Sequence, residues 1–220
     1  DKALEFHSKA LAINEKVLGV EHSSTAMSYN NIGEVYRALG EHDKALEFHS
    51  KALAIDEKVL GVEHASTAAS YNNIGLVYDA LGDYDKALEF HSKALAIDEK
   101  VLGVEHPSTT RDYNNIGGVY HALGDYDKAL EFYSKAQAMY KKVLGDEHTS
   151  TATIYNNIGE VYRALENYDR AREYLLKALR VICRVLGSEH QYTQSTMRSL
   201  HEIYRKVSPD TSFEDWAGLQ

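Results

Sequence analysis

The chain has 220 residues, 44% of them hydrophobic, which is enough to bury a sizeable core. Its 33 acidic residues against 24 basic give a net charge near −9, which argues against wrapping phosphate backbones, because nucleic-acid binding needs a basic stripe. No stretch approaches about 18 consecutive apolar residues, and the first residues lack a basic region followed by an apolar run, so neither a spanning helix nor a signal peptide is read and the expected setting is cytoplasmic. The single cysteine, Cys183, has no partner for a disulfide and is expected to pack in the core. Only two prolines, Pro107 and Pro209, interrupt a sequence rich in good helix formers, so the chain is expected to be nearly all helix.

The opening run Asp-Lys-Ala-Leu-Glu-Phe-His-Ser-Lys-Ala, from Asp1 to Ala10, returns from Asp43 to Ala52 and from Asp85 to Ala94, a period of 42 residues. Weaker copies run from Asp127 to Ala136 and from Asp169 to Ala178. Tyr-Asn-Asn-Ile-Gly likewise starts at Tyr29, Tyr71, Tyr113 and Tyr155, and the periodicity lasts to about Val207. Residues 1–22 read as a lone second helix of such a unit, so the chain is expected to be an excerpt of a longer array with an open first face. Full repeats follow at about 23–64, 65–106, 107–148 and 149–190, then a capping helix at 191–208 and a tail at 209–220.

Each repeat predicts two helices. In the third, Tyr113, Ile116, Gly117 and Tyr120 fall at i, i+3, i+4 and i+7, one face of a first helix, helix A. Gly124-Asp-Tyr126 breaks it, and Asp127 is expected to cap helix B, which carries Ala129, Phe132, Tyr133, Ala136 and Met139 inward and ends before Gly145. Residues such as His106 to Thr109 offer caps for the next helix A, with Pro107 tolerated in its first turn. Small residues at Gly33, Gly75, Gly117 and Gly159 and at Ala45, Ala87, Ala129 and Ala171 allow close approach of the two helices. Pairs such as Glu47 with Lys51 have the favourable i,i+4 order on solvated faces.

Together, small-Leu/Ile-Gly-x-x-Tyr, then Gly-x-Tyr, then Ala-x-x-x-aromatic/His-x-x-Ala resemble the tetratricopeptide repeat over nearly the whole chain. The form Ala-Leu-Ala-Ile-Asp-Glu-Lys-Val-Leu-Gly-x-Glu-His-Pro-x-Thr, from Ala94 to Thr109, is similar to the 42-residue repeats of kinesin light chains. The resemblance implies an all-α, right-handed α-solenoid, a superhelix of antiparallel helix pairs with helix A lining a concave surface. It also implies that asparagines in matching positions contact bound peptides.

Catalytic and metal chemistry find no support in the pattern. His22, His64, His106, His148 and His190 recur once per repeat, about 10 Å apart, whereas metal ligands converge within about 2.2 Å of an ion; they are expected to cap helices or pack in the loops. His7, His49 and His91 fall on the packed face of helix B and are expected to be core residues with satisfied rings. There is no glycine-rich phosphate loop and no nucleophile elbow, so no catalytic residue, metal or cofactor is expected.

Comparison among the repeats points to a binding surface. One stripe of helix A changes from repeat to repeat: Met27, Glu34, Arg37; Ala69, Leu76, Asp79; Arg111, Gly118, His121; Thr153, Glu160, Arg163. A packed core does not tolerate such changes, so this stripe is expected to face solvent. Beside it two rows stay constant, Asn30, Asn72, Asn114, Asn156 and Asn31, Asn73, Asn115, Asn157, and a primary amide offers both donors and an acceptor to a peptide backbone. The bland alternative for both rows is simple inheritance by duplication, and for the Asn31 row also bonding to the adjacent repeat. The lysine and arginine clamp that family members use for a terminal carboxylate is missing, so the expected ligand is an internal, extended peptide. Arg37, Arg111, His121 and Arg163 favour acidic residues on it and Leu76 an apolar anchor.

The expected function is therefore a non-enzymatic interaction scaffold or adaptor for a partner protein, of cargo-adaptor kind. The competing readings are a structural solenoid that self-associates end to end through its open face or its tail, and a regulatory array of a larger effector. In the tail, Phe213, Trp216 and Leu219 are expected to form a short amphipathic turn over the last repeat. Glu214-Asp215-Trp216 also resembles the acidic tryptophan peptides that kinesin light chains recognise, which would place the tail in a groove.

Overall fold

The computed structural model describes residues 2–208 and 210–218. The described residues contain α-helices and no strand. In chain order these are α1 (Lys2–Leu18), α2 (Ser23–Ala38), α3 (His42–Val59), α4 (Ala65–Leu81), α5 (Tyr84–Val101), α6 (Pro107–Ala122), α7 (Tyr126–Leu144), α8 (Thr149–Ala164), α9 (Tyr168–Leu186), α10 (Gln191–Val207) and α11 (Phe213–Ala217). They form two compact units, Asp1–Val119 and Tyr120–Gln220. The division falls inside α6, where the repeat pattern gives no sign of a break.

The loop histidines start the even-numbered helices. His22 Nδ1 accepts the backbone N–H of Ser24 at 3.1 Å, and His64, His106, His148 and His190 do the same for Ser66, Ser108, Ser150 and Tyr192. Each ring thus satisfies one of the donors that a helix N-terminus leaves open. A threonine three residues after each histidine closes the loop: Thr67 Oγ1 donates to the carbonyl of Gly61 at 2.8 Å, and Thr25, Thr109, Thr151 and Thr193 repeat the bond. Helix B is capped two residues earlier than the sequence suggests. Asp125, not Asp127, accepts the backbone N–H of Lys128, because Gly124 at φ 77° turns the chain sharply enough for α7 to begin at Tyr126.

Size complementarity joins helix A to helix B. A Cβ added at Gly33 would lie 2.7 Å from the His49 ring, at Gly75 2.8 Å from His91, and at Gly159 2.7 Å from Leu175. The tyrosines flanking each glycine bracket an aromatic ring: Tyr29 and Tyr36 against Phe48 at 6.0 and 5.4 Å, and Tyr71 and Tyr78 against Phe90 at 6.1 and 5.5 Å. In the second unit Tyr155 and Tyr162 hold Tyr174 in the same way. Cys183 is exposed rather than buried. It stands where the earlier repeats have Glu57, Glu99 and Lys141, one position beyond the buried Val181 and Ile182.

At the end of the second unit the size rule is inverted. Counting back 42 residues, His201 of α10 occupies the glycine position of Gly159, and Ala217 of α11 occupies that of Leu175. Ala217 is buried, and the Phe213 ring stacks on His201 at 3.8 Å. Trp216, in the register of Tyr174, lies 5.7 Å from Tyr204. The tail thus packs on α10 as a short stub of helix B, and Trp216 is part of that packing. Pro209, Leu219 and the side chain of Glu214 lie outside the described residues.

Candidate functional site

Helix A carries both asparagine rows and the variable stripe. In the first unit, Asn30 Nδ2 donates to Ser70 Oγ of the next repeat at 2.8 Å. Its Oδ1 lies 2.8 Å from His49 Nδ1 and 3.4 Å from Asn73 Nδ2, so His49 donates through Nδ1 and the amide bridges α2, α3 and α4. Asn72, only 2% exposed, accepts from Asn115 Nδ2 at 2.8 Å. The Asn31 row therefore donates to the Asn30 row of the preceding repeat. In the second unit Asn156 Oδ1 accepts the hydroxyl of Thr196 at 2.8 Å. Asn114 and Asn157 are half-buried and have partners of their own, whereas Asn31 is exposed.

The variable stripe is half-exposed along most of its length, with Met27 exposed and Leu76 partly so. Its cations have carboxylate partners. Arg37 grips Glu34 through Nε at 3.1 Å and Nη2 at 2.8 Å. Arg163 reaches Glu160 at 2.7 Å and Glu202 at 3.4 Å, and Arg111 Nη2 lies 3.3 Å from Asp112 Oδ1. His121, half-buried with its ring 5.8 Å from that of Tyr126, has its pKa lowered by burial, and Glu160 opposes that shift. Asp79 is held above the usual carboxylate range by burial.

Two buried polar features differ from expectation or escaped it. The core histidines were expected to have satisfied rings, yet His49 Nε2 and both nitrogens of His91 lack a hydrogen-bond partner. Glu34 Oε1 stops 3.7 Å from His49 Nε2, beyond hydrogen-bond reach, and burial lowers both pKa values to about 4. Between α5 and α6, Asp98 and Asp112 are both buried, and Asp98 Oδ1 and Asp112 Oδ2 have no hydrogen-bond partner. Burial, opposed by Arg111 and reinforced by the second carboxylate, raises Asp112 to about 7. The signal was in the repeats: the Asp112 position holds Ser28 and Ser70 in the first two, where Ser70 donates to Asp56 at 2.8 Å. Among the described residues no group of three or more His, Cys, Asp or Glu side chains is placed to hold a metal. No helix there is long and apolar enough to cross a membrane.

Comparison with known proteins agrees with this architecture. The tetratricopeptide repeat family profile matches residues 1–58, 24–100, 66–142, 112–184 and 150–207. A search of curated proteins finds no match. Among solved structures, BtubC (BKLC) from P. vanneervenii superposes with a TM-score of 0.82 at 19% identity, covering 98% of this chain and 87% of that one. A putative kinesin light chain from Podosopora anserina, described as having nearly identical TPR-like repeats, gives a TM-score of 0.72 at 26% identity, covering 88% and 92%. A point variant of that protein gives 0.68 at 29% identity over 84% and 87%. With helix pairs, register and profile in agreement up to residue 207, the chain belongs to the tetratricopeptide repeat family, with repeats like those of kinesin light chains.

Proposed function

We propose that this chain is a protein-interaction scaffold that holds an extended segment of a partner along the helix A surface, in the manner of a cargo adaptor and in a cytoplasmic setting. The observation that supports it is the variable stripe. Met27 and Leu76 stand partly or fully open to solvent beside uniform packing, and their identity changes from repeat to repeat while the packing does not. The asparagine rows supply a fixed polar border, in which Asn31 and the remaining N–H of Asn30 are available to a ligand backbone.

Preference for acidic residues on the ligand rests on Arg37 and Arg111 in the first unit and, separately, on Arg163 in the second. The Arg37 to Glu34 pair is partly exposed, and exposed ion pairs contribute only about 0–1 kcal/mol, so an incoming carboxylate competes on even terms. Leu76 provides the apolar anchor between them.

A peptide-array screen tests this. Peptides selected by the parent chain are expected to bind Leu76→Glu about tenfold more weakly, a loss of about 1.4 kcal/mol, with thermal stability nearly unchanged. Asn72→Ala instead is expected to lose about 1 kcal/mol of stability, since it removes a buried inter-repeat bond. Identical peptide selectivity in the parent and Leu76→Glu would overturn the proposal.

A second reading is end-to-end association of the array. It predicts a mass that rises with concentration and no peptide selectivity.

A further inference from the structure

The helix α9 departs from its counterparts on one face. At positions where α3, α5 and α7 repeat leucine (Leu46, Leu88, Leu130), serine (Ser50, Ser92, Ser134) and alanine (Ala54, Ala96, Ala138), α9 has Arg172, Leu176 and Arg180. The change is also one of charge. Five basic residues (Arg170, Arg172, Lys177, Arg180, Arg184) and two acidic ones (Asp169, Glu173) give α9 a net +3. Three basic (Lys44, Lys51, Lys58) and four acidic (Asp43, Glu47, Asp56, Glu57) give α3 a net −1. This cationic helix lies in a chain that carries −9 overall.

Most of those charges are already used. Lys177 pairs with Glu173 at 2.6 Å, Arg184 with Glu147, and Arg170 donates to the hydroxyl of Tyr162 at 2.8 Å. Arg172 and Arg180 make no ion pair among the described residues. Arg172 lies over the Trp216 ring at 5.1 Å, and its Nε is buried without an acceptor. The two arginines and Leu176 line an open cavity of about 400 Å³ with Asp169, Ala217 and Gly218. Asp169 is the one lining carboxylate without an opposing lysine, and it lies at the start of the helix, one turn from Arg172.

Leaving a guanidinium nitrogen buried and unbonded costs about 1–3 kcal/mol, so a site that completes it with an oxygen gains affinity. The spacing says what should bring that oxygen. Residues 172, 176 and 180 rise about 6 Å per step along the helix, and alternate side chains of an extended strand rise about 6.6 Å on one face. We propose that this face of α9 is a second binding site, taking an extended partner segment of the form acidic-x-apolar-x-acidic, its carboxylates on Arg172 and Arg180 and its apolar side chain on Leu176.

The site shares no residue with the helix A stripe, so the two proposals fail separately. The probe is a labelled, end-capped peptide Gly-Glu-Ser-Leu-Ser-Glu-Gly, followed by fluorescence anisotropy and by the emission of Trp216, the chain's one tryptophan. Saturable binding with a change in tryptophan emission is expected. The double variant Arg172→Leu, Arg180→Ala restores the residues of the three other helices and keeps the fold, checked by circular dichroism. It is expected to bind about tenfold more weakly, as is the parent to the scrambled Gly-Glu-Glu-Leu-Ser-Ser-Gly, while Leu76→Glu binds the probe unchanged. Absence of saturable binding to the parent, or equal anisotropy titrations for parent and double variant or for probe and scramble, overturns the proposal.

Discussion

Asp112→Ser raises the stability of the Asp1–Val119 unit at pH 8 by about 2–3 kcal/mol, and the gain shrinks as the pH is lowered towards 5. Asp112 is buried and faces the buried Asp98, with Arg111 on one side and His106 nearby. Two carboxylates this close cannot both be ionised at low cost, and one proton between them removes the conflict. In the native state Asp112 sits at about 7, above its ordinary 3.8, so its favourable contribution is complete below the unfolded value and is lost as pH rises through 7. Serine at this position donates to the facing carboxylate, as Ser70 does to Asp56. Urea unfolding of parent and variant at pH 5 and pH 8, followed by far-ultraviolet circular dichroism, reads the difference; Trp216 is a poor reporter here because it lies in the other unit. Parallel stabilities at the two pH values would show that the pair does not share a proton.

A comparable gain is expected for His91→Leu, with the opposite pH dependence. Both ring nitrogens of His91 are buried without partners, a cost of about 1–3 kcal/mol that leucine avoids. Leucine fits, because Leu175 already packs beneath Gly159 at the same position of the fourth repeat. The native pKa of about 4 lies below the ordinary 6.5, so the unfolded chain binds the proton first. His91 therefore costs stability as pH falls from 6.5 towards 4, and the variant loses that dependence. The gain should be larger at pH 4.5 than at pH 7 in the same unfolding experiment. A gain independent of pH would mean that the ring finds a proton partner in the folded state. His49, also lowered to about 4, adds to the acid-side loss.

These buried groups mark the boundary of what could be read from sequence. The alternation of helices and the loop histidines at their starts were legible because each rests on a local rule repeated every 42 residues, whereas the glycines were read only as allowing close approach and not as receiving a bulky side chain. The asparagine rows were legible as rows but not in direction. Uniformity alone does not distinguish a side chain facing a ligand from one facing the next repeat, and Asn72 with Asn115 turns out to bond along the array. The stripe's acidic neighbours, Glu34 and Glu160 among them, were visible as local offsets to its arginines, whereas the pairing of Arg111 with the buried Asp112 and of Arg163 with Glu202 was not. Asp112 and the face of α9 were visible only as departures from the consensus, whose consequence depends on what the next helix places opposite.

The inverted pair of His201 and Ala217 limits how such an array can be lengthened. Inside the chain, a glycine on helix A receives a bulky residue on helix B, so a duplicated block of 42 residues meets the same lock and key on both of its sides. At α10 the bulk has moved to the other partner. An ordinary helix B placed after it would drive a His, Tyr or Leu into the His201 ring, a clash that the earlier glycines exist to prevent. Unequal crossing-over can therefore add or delete whole units ahead of α10 without breaking this size match, while a unit grafted behind it requires compensating substitutions. The array has a direction of growth, written in side-chain volume at a single position.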